Sequence, residues 1–165
     1  EAFLSMKFRQ LQKSWYIFFF QLPEVPEESL SRNNYEFLKK MMVGSAVNRQ
    51  AFTEEDLNKY IEAWSKPGAL TASINYYRAN MNIAQMMTMP LEQQQKLTKI
   101  FPKVKSPTLV IWGEDDAALD KSLTTGMEKF TEGPYAIKYI QNCGHWVQQE
   151  APDQVNRFLL EFLKK

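Results

Sequence analysis

The hydrophobic pattern changes period once along this chain. Up to about residue 100 the apolar positions recur at three- and four-residue spacing, which predicts helices. Phe3, Leu4, Phe8, Leu11, Trp15, Phe18, Phe19 and Leu22 predict one helix, ended by Pro23 and Pro26. A second is expected over about 29–43, with Leu30, Phe37, Leu38 and Met41 on its apolar side. Thr53-Glu54-Glu55-Asp56 reads as an N-cap and a negative first turn, followed by Leu57, Tyr60, Ile61 and Trp64. After the breaker Lys66-Pro67-Gly68, a helix over about 69–82 gathers Leu70, Ile74, Tyr77 and Met81. Met86 to Lys99 has no clear pattern and fits a loop with a short helix.

Beyond Pro107 the pattern becomes that of an α/β protein. Thr108 to Trp112 is apolar without polar alternation, as in a parallel strand covered on both faces. A helix over about 120–131 is expected to group Leu123, Met127 and Phe130, Tyr135 to Ile140 gives a second strand, and Pro152 opens a last helix carrying Val155, Phe158, Leu159 and Phe162. Strand, helix, strand, helix is an α/β arrangement, but two parallel strands do not make a complete core. The sheet is therefore expected to continue through residues supplied from elsewhere: a missing N-terminal half, a second chain, or another copy of this one. A small helical domain with two marginal strands is the plainer alternative.

Composition narrows the partners. The 165 residues are 44% hydrophobic and 24% charged, a folded domain of ordinary size. A net charge of +1 provides no basic field for nucleic acid, and Lys39-Lys40 and Lys164-Lys165 read as solvated pairs. The single cysteine rules out an internal disulfide framework and suits a reducing, cytoplasmic location. The run Ile17-Phe18-Phe19-Phe20 is too short to span a bilayer, so no membrane partner is expected. Glu1 is no natural translation start, which points to a processed or nicked chain or one piece of a larger product.

Two loops carry candidate chemistry. His145 is the only histidine and follows the second strand; Asp116 follows the first, with Asp115 and Asp120 as rival partners. An imidazole oriented by a carboxylate keeps one nitrogen free as a general base. Cys143, two residues away, reads as a buried filler rather than a nucleophile. One Cys and one His cannot close a zinc site, and neither a glycine-rich phosphate loop nor a G-x-S-x-G elbow occurs, so no metal and no organic cofactor is expected. Tyr16 and Tyr77 lie in dense apolar helical segments. They are either ordinary core residues or phenols that converge on a cavity to stabilise a developing negative oxygen. Trp15, Phe18, Phe19, Phe20, Trp64 and the group Met81, Met86 and Met87 suit either a core or an apolar pocket; Trp15, Phe19, Phe20 and Trp146 are the expected pocket walls.

Three segments carry a resemblance. Ser14-Trp15-Tyr16-Ile17-Phe18-Phe19-Phe20-Gln21-Leu22-Pro23, Asn75-Tyr76-Tyr77-Arg78-Ala79-Asn80, and Pro107 to Asp116 taken with Gly144-His145-Trp146 occur in an order and spacing that resembles the epoxide hydrolases of the α/β-hydrolase fold. The resemblance implies a partial α/β-hydrolase fold: a helical cap over residues 1–100, then the last two parallel strands and flanking helices of the core over 101–165. It implies Tyr16 and Tyr77 as ring-opening donors, His145 as the water-activating base and Asp116 as its acid partner. It also implies a small apolar epoxide and water as reactants. The family's nucleophile, an aspartate on a strand-to-helix turn, and its oxyanion-hole segment have no match here. The chain alone is thus expected to be inactive and to need a complementary N-terminal fragment or second chain. A haloalkane or haloacetate dehalogenase is the nearest enzymatic rival. A non-catalytic interaction fragment using an open sheet edge is the rival of another kind.

Overall fold

The computed structural model describes residues 8–80, 90 and 102–164. The first predicted helix is two: α1 (Phe8–Lys13) and α2 (Trp15–Phe20), broken at Ser14, whose backbone (φ −91°, ψ 15°) leaves the helical region. The period ran through this break because the Ser14 side chain is itself buried, its hydroxyl accepting a bond from Gln10 Nε2 at 2.9 Å. Phe3 and Leu4 lie outside the described residues.

Helix α3 (Val25–Gly44) is longer than expected and bent. Arg32 is extended, and Asn33, Asn34 and Tyr35 all have positive φ. Asparagine tolerates this left-handed region; tyrosine rarely enters it. Tyr35 is held there by its hydroxyl, which donates to the Trp64 carbonyl at 3.2 Å, and by its ring against the Trp64 indole. The bend resets the helical phase, so Phe37 turns to solvent while Leu30, Leu38 and Met41 face the core. Helix α4 (Glu54–Trp64) begins as its sequence dictates: Thr53 accepts from Asp56 N, and the Asp56 carboxylate accepts from Thr53 N. Helix α5 (Ala69–Asn80) ends the described helical region; Met81 and the Met86 to Lys99 stretch fall outside it.

Two apolar clusters knit these helices. Phe20, Leu30 and Ile74 join α2, α3 and α5, flanked by Tyr16, Phe19 and Tyr77. Met42, Ala46, Phe52 and Leu57 join α3 and α4, with Trp146 packed against them from the far end of the chain. Each fully buried Leu or Ile contributes about 1.5–3 kcal/mol relative to exposure. One polar side chain ties the ends. Arg78 donates to the Phe20 carbonyl (2.9 Å), the Leu22 carbonyl (2.7 Å) and both carboxylate oxygens of Glu27 (2.6 and 3.0 Å). Its planar fork closes the start of α3 and the end of α2 onto α5, one residue from Tyr77.

Strands β1 (Thr108–Gly113) and β2 (Tyr135–Ile140) are parallel and in continuous register from Thr108 opposite Tyr135 to Gly113 opposite Ile140. The predicted helix over 120–131 is replaced by two short 3-10 turns, Lys121–Thr124 and Met127–Phe130. Gly126 between them has φ +83°, which ends one turn and redirects the next, so Phe130 is exposed rather than grouped with Leu123. Helix α6 (Val147–Glu150) leads into α7 (Pro152–Leu163), with Pro152 in its first turn. Val155 and Phe158 pack with Ile111, Ile140 and Cys143. Leu159 is 41% exposed, against expectation, because the two described strands are narrower than the apolar stripe of α7.

Strand β1 ends against the loop that follows β2. A Cβ on Gly113 would lie 2.1 Å from the Gly144 carbonyl oxygen and 2.5 Å from that of Cys143, so only glycine lets the two loops meet. Gly113→Ala should cost about 1–3 kcal/mol of stability through overpacking, seen as a lower denaturation midpoint in urea. An unchanged midpoint would show that the loops have room to part.

Candidate active site

Asp116 is placed by the turn after β1. Glu114 N donates to the Ile140 carbonyl and Asp115 N to the Cys143 carbonyl, each at 3.0 Å, so the loop stays parallel to the sheet end for two more residues. Asp116 then turns inward and is buried. Its Oδ1 accepts the backbone N–H groups of Ala118 and Leu119, at 2.7 and 2.8 Å. Its Oδ2 is left to face His145 Nδ1 at 2.9 Å. Burial pushes the Asp116 carboxyl up. The hydrogen bond from His145 and those from the Leu119 and Ala118 backbone outweigh it and hold the group below the usual aspartate value. The rivals are elsewhere: Asp115 is exposed, and Asp120 caps the following 3-10 turn by accepting from Ser122 N at 3.0 Å.

His145 is placed by the turn after β2. Asn142 takes φ 51°, reversing the chain, and Cys143 drops into the core. His145 follows, half-buried. The hydrogen bond to Asp116 raises its pKa above 6.5, more than burial lowers it, and the charges of Asp116 and Glu150 add to the rise. Because carboxylate Oδ2 can only accept, Nδ1 carries the proton in the neutral imidazole, and Nε2 keeps its lone pair. Nε2 has no hydrogen-bond partner among the described residues. Trp146 anchors the loop to the helices, its Nε1 donating to the Met42 carbonyl at 3.1 Å and to Ser45 Oγ at 2.9 Å. Cys143 is buried, and burial together with the carboxylates of Glu150, Asp115 and Asp116 pushes its thiol up to about 11.

A cavity of about 520 Å³ lies between the helices and these two loops. Tyr16, Tyr77 and His145 all line it, as do Trp15, Phe20 and Trp146. The remainder of its wall is largely apolar, including Leu38, Met41 and Trp64. The Tyr16 and Tyr77 rings meet edge to face with centroids 5.7 Å apart. Burial, then the neighbouring Tyr77 and Asp116, pushes the Tyr16 phenol up to about 12; burial and Tyr76 raise Tyr77 as well. Both phenols therefore stay protonated near neutral pH and can donate. Phe19 does not line the cavity: on α2 it turns one residue away from Tyr16 and Phe20 and packs between the Trp15 and Phe20 rings.

Several polar residues that fix this geometry went unread in the sequence. Gln10 is buried, donates to the Ala118 carbonyl at 2.9 Å and accepts from Asp120 N at 2.6 Å, which staples α1 to the acid loop. Lys13 donates to the Asp116 carbonyl at 2.5 Å. Glu150 accepts backbone N–H groups from both the helical region and the His145 loop. Each pairs with residues more than 100 positions distant in sequence, so no local pattern betrays it. Among the described residues no three metal-ligating side chains come together, and no helix is long and apolar enough to cross a membrane.

Comparison with known proteins bears on the fold and the family. No protein-family model matches the chain. The AB hydrolase superfamily protein YfhM of Bacillus subtilis is 36% identical over 155 residues, covering 94% of this chain and 49% of that protein. Epoxide hydrolase 4 of Homo sapiens is 34% identical over 160 residues, covering 94% of this chain and 41% of that protein. Epoxide hydrolase 3 of Xenopus tropicalis is 33% identical over 160 residues, covering 94% and 40%. The chain thus spans about half the length, or somewhat less, of the curated relatives it matches, and it aligns with their C-terminal part. Among solved structures, a variant of an epoxide hydrolase from Bacillus megaterium superposes with a TM-score of 0.76 at 25% identity, covering 98% of this chain and 55% of that one. The epoxide hydrolase CorEH shares the fold with a TM-score of 0.76 at 20% identity, covering 97% and 53%. The curated matches, which run over 94% of the chain, place it with the C-terminal part of the epoxide hydrolase family of the α/β-hydrolase fold.

Proposed function

We propose that this chain supplies the ring-opening lid and the water-activating dyad for hydrolysis of an apolar epoxide to a diol through an alkyl-enzyme ester. The observation that supports the reading most is that Tyr16, Tyr77 and His145 share one largely apolar cavity while His145 Nδ1 is paired to Asp116. In this reading residues 1–100 are the cap and 101–165 the end of the core. The carboxylate nucleophile and the strands that continue β1 come from residues outside this chain, a preceding half or a complementing polypeptide.

The chemistry then divides between two walls of the cavity. A carboxylate attacks one epoxide carbon; a C–O bond of the ester forms as the ring C–O bond breaks. Negative charge grows on the epoxide oxygen, and the Tyr16 and Tyr77 hydroxyls donate to it, one passing its proton to the alkoxide. Their raised pKa values keep both in the donating form before the ring opens. In the second step His145 Nε2 takes a proton from water and the hydroxide adds to the ester carbonyl; the adduct expels the diol's second oxygen, which takes the proton of the new carboxylic acid, so that diol and carboxylate separate, and the imidazolium proton returns to the tyrosinate. Asp116 holds the imidazole in the tautomer that leaves Nε2 free and stabilises the imidazolium that forms. Trp15, Phe20 and Trp146 enclose the apolar part of the substrate.

Single-turnover kinetics on the enzyme with its nucleophile-bearing half present test this division. His145→Gln should still open the epoxide but accumulate the ester, visible as a mass increase equal to the substrate; a variant that never accumulates adduct would remove His145 from the second step. Changing both Tyr16 and Tyr77 to Phe should lower the alkylation rate by about 10²–10³-fold or more, the loss typical of removing donors to an oxyanion. Alkylation at the wild-type rate would overturn their assignment. Water activation requires neutral imidazole, so ester hydrolysis should fall on acidification through the His145 titration. Because Asp116 raises that titration, Asp116→Asn should move the acid limb downward while slowing the step. A limb that stays where it was, or moves upward, in Asp116→Asn would contradict the pairing.

A further inference from the structure

The His145 loop is short, glycine-containing and reversed by a left-handed residue, yet the imidazole must hold one orientation. Its bond to Asp116 constrains one nitrogen, not the loop that carries the ring. We propose that Glu150 is a positioning residue for the water-activating step, clamping the backbone on both sides of His145 onto the end of α3. Its Oε2 accepts N–H groups from Gly144 at 3.1 Å, Val47 at 2.8 Å and Asn48 at 3.1 Å, and its Oε1 accepts from Trp146 N at 3.2 Å. Gly144 and Trp146 flank the base directly. Val47 and Asn48 follow the turn whose Gly44 and Ser45 line the cavity. One carboxylate thus ties the loop bearing the base to the wall facing it.

The surroundings fit that task. A Cβ on Gly144 would come within 2.9 Å of Glu150 Oε1 and 3.0 Å of the Ser45 carbonyl oxygen, so glycine there is what lets the carboxylate and the end of α3 close over the loop. The preceding residue, Gln149, donates to the Tyr60 hydroxyl, and Trp146 Nε1 reaches Met42 and Ser45. These bonds all run between α6 or its approach and the helices, and Glu150 alone gathers backbone donors from both sides. A carboxylate accepts such donors more strongly than a neutral group, and the Glu150 charge adds to the rise of the His145 pKa. A glutamine is a poor replacement, since its NH₂ would confront at least one of the four donors.

The rate part of the test rests on the proposed epoxide chemistry; a second readout does not. In the complete enzyme, Glu150→Ala should slow ester hydrolysis by at least about tenfold, the scale of one lost net hydrogen bond or more, while alkylation changes less, so adduct builds up at steady state. Glu150→Gln should fall between Ala and the wild type. Independently, ¹⁵N-histidine labelling reports the tautomer of His145, assigned by the signal lost in His145→Gln. The wild type should hold the Nδ1-protonated form; Glu150→Ala should show a mixture, and Glu150→Gln a smaller departure. If Glu150→Ala fails to fold, Glu150→Gln decides by the same two measurements. Wild-type tautomer populations in a folded variant, or equal slowing of both chemical steps, would overturn the proposal. If the wild-type enzyme turns over no epoxide, the tautomer measurement still decides the role of Glu150.

Discussion

The hydrogen bond from His145 Nδ1 to Asp116 Oδ2 links the side chains carried by the two strand-end loops, and the candidate site depends on it. It can form because parallel pairing in full register brings the exits of β1 and β2 to the same edge of the sheet. It points the right way because the other Asp116 oxygen is occupied by the Ala118 and Leu119 amides. The same bond decides the chemistry: it settles which nitrogen holds the proton and raises the imidazole while lowering the carboxyl. Losing it would leave a buried carboxylate short of a partner, a costly state in a low-dielectric interior.

Polar groups, together with the packing of Trp146 on the helices, fasten the helical region to this dyad. Gln10 and Lys13 seize the acid loop, whereas Trp146 and Glu150 seize the base loop. Within the helical region Arg78 does the equivalent work, holding the end of α2 and the start of α3 beside Tyr77. Directional bonds of this kind fix register as apolar packing does not. The cavity is thereby bounded by walls set by backbone carbonyls and amides, leaving its side chains free to be largely apolar.

Much of this was legible because it is local. The Thr53 to Asp56 cap, the Pro152 helix start and the two apolar strands each announce themselves within a few residues. The candidate site residues were nominated only through the ordered combination of three segments; taken singly, Tyr16 and Tyr77 are indistinguishable from core tyrosines. What escaped notice was decided elsewhere. The break at Ser14 hides because a buried serine keeps the helical period running. The bend in α3 depends on Trp64, nearly thirty residues on. Leu123, Met127 and Phe130 have the spacing of a helix, but Gly126 takes a conformation that a helix cannot contain. Phe19 has the right chemistry for the cavity and the wrong angle around α2.

Cys143 sits two residues from the base, and its thiol is buried and held protonated, pushed up to about 11. Strained three-membered ethers alkylate thiolates readily, and thiolate is the form that reacts. In an enzyme of the proposed kind, a sulfur ionised at this spot would compete with the intended carboxylate and end in a dead thioether that water cannot cleave. Packed with Ile140 and Val155, that sulfur would be shielded from such an electrophile.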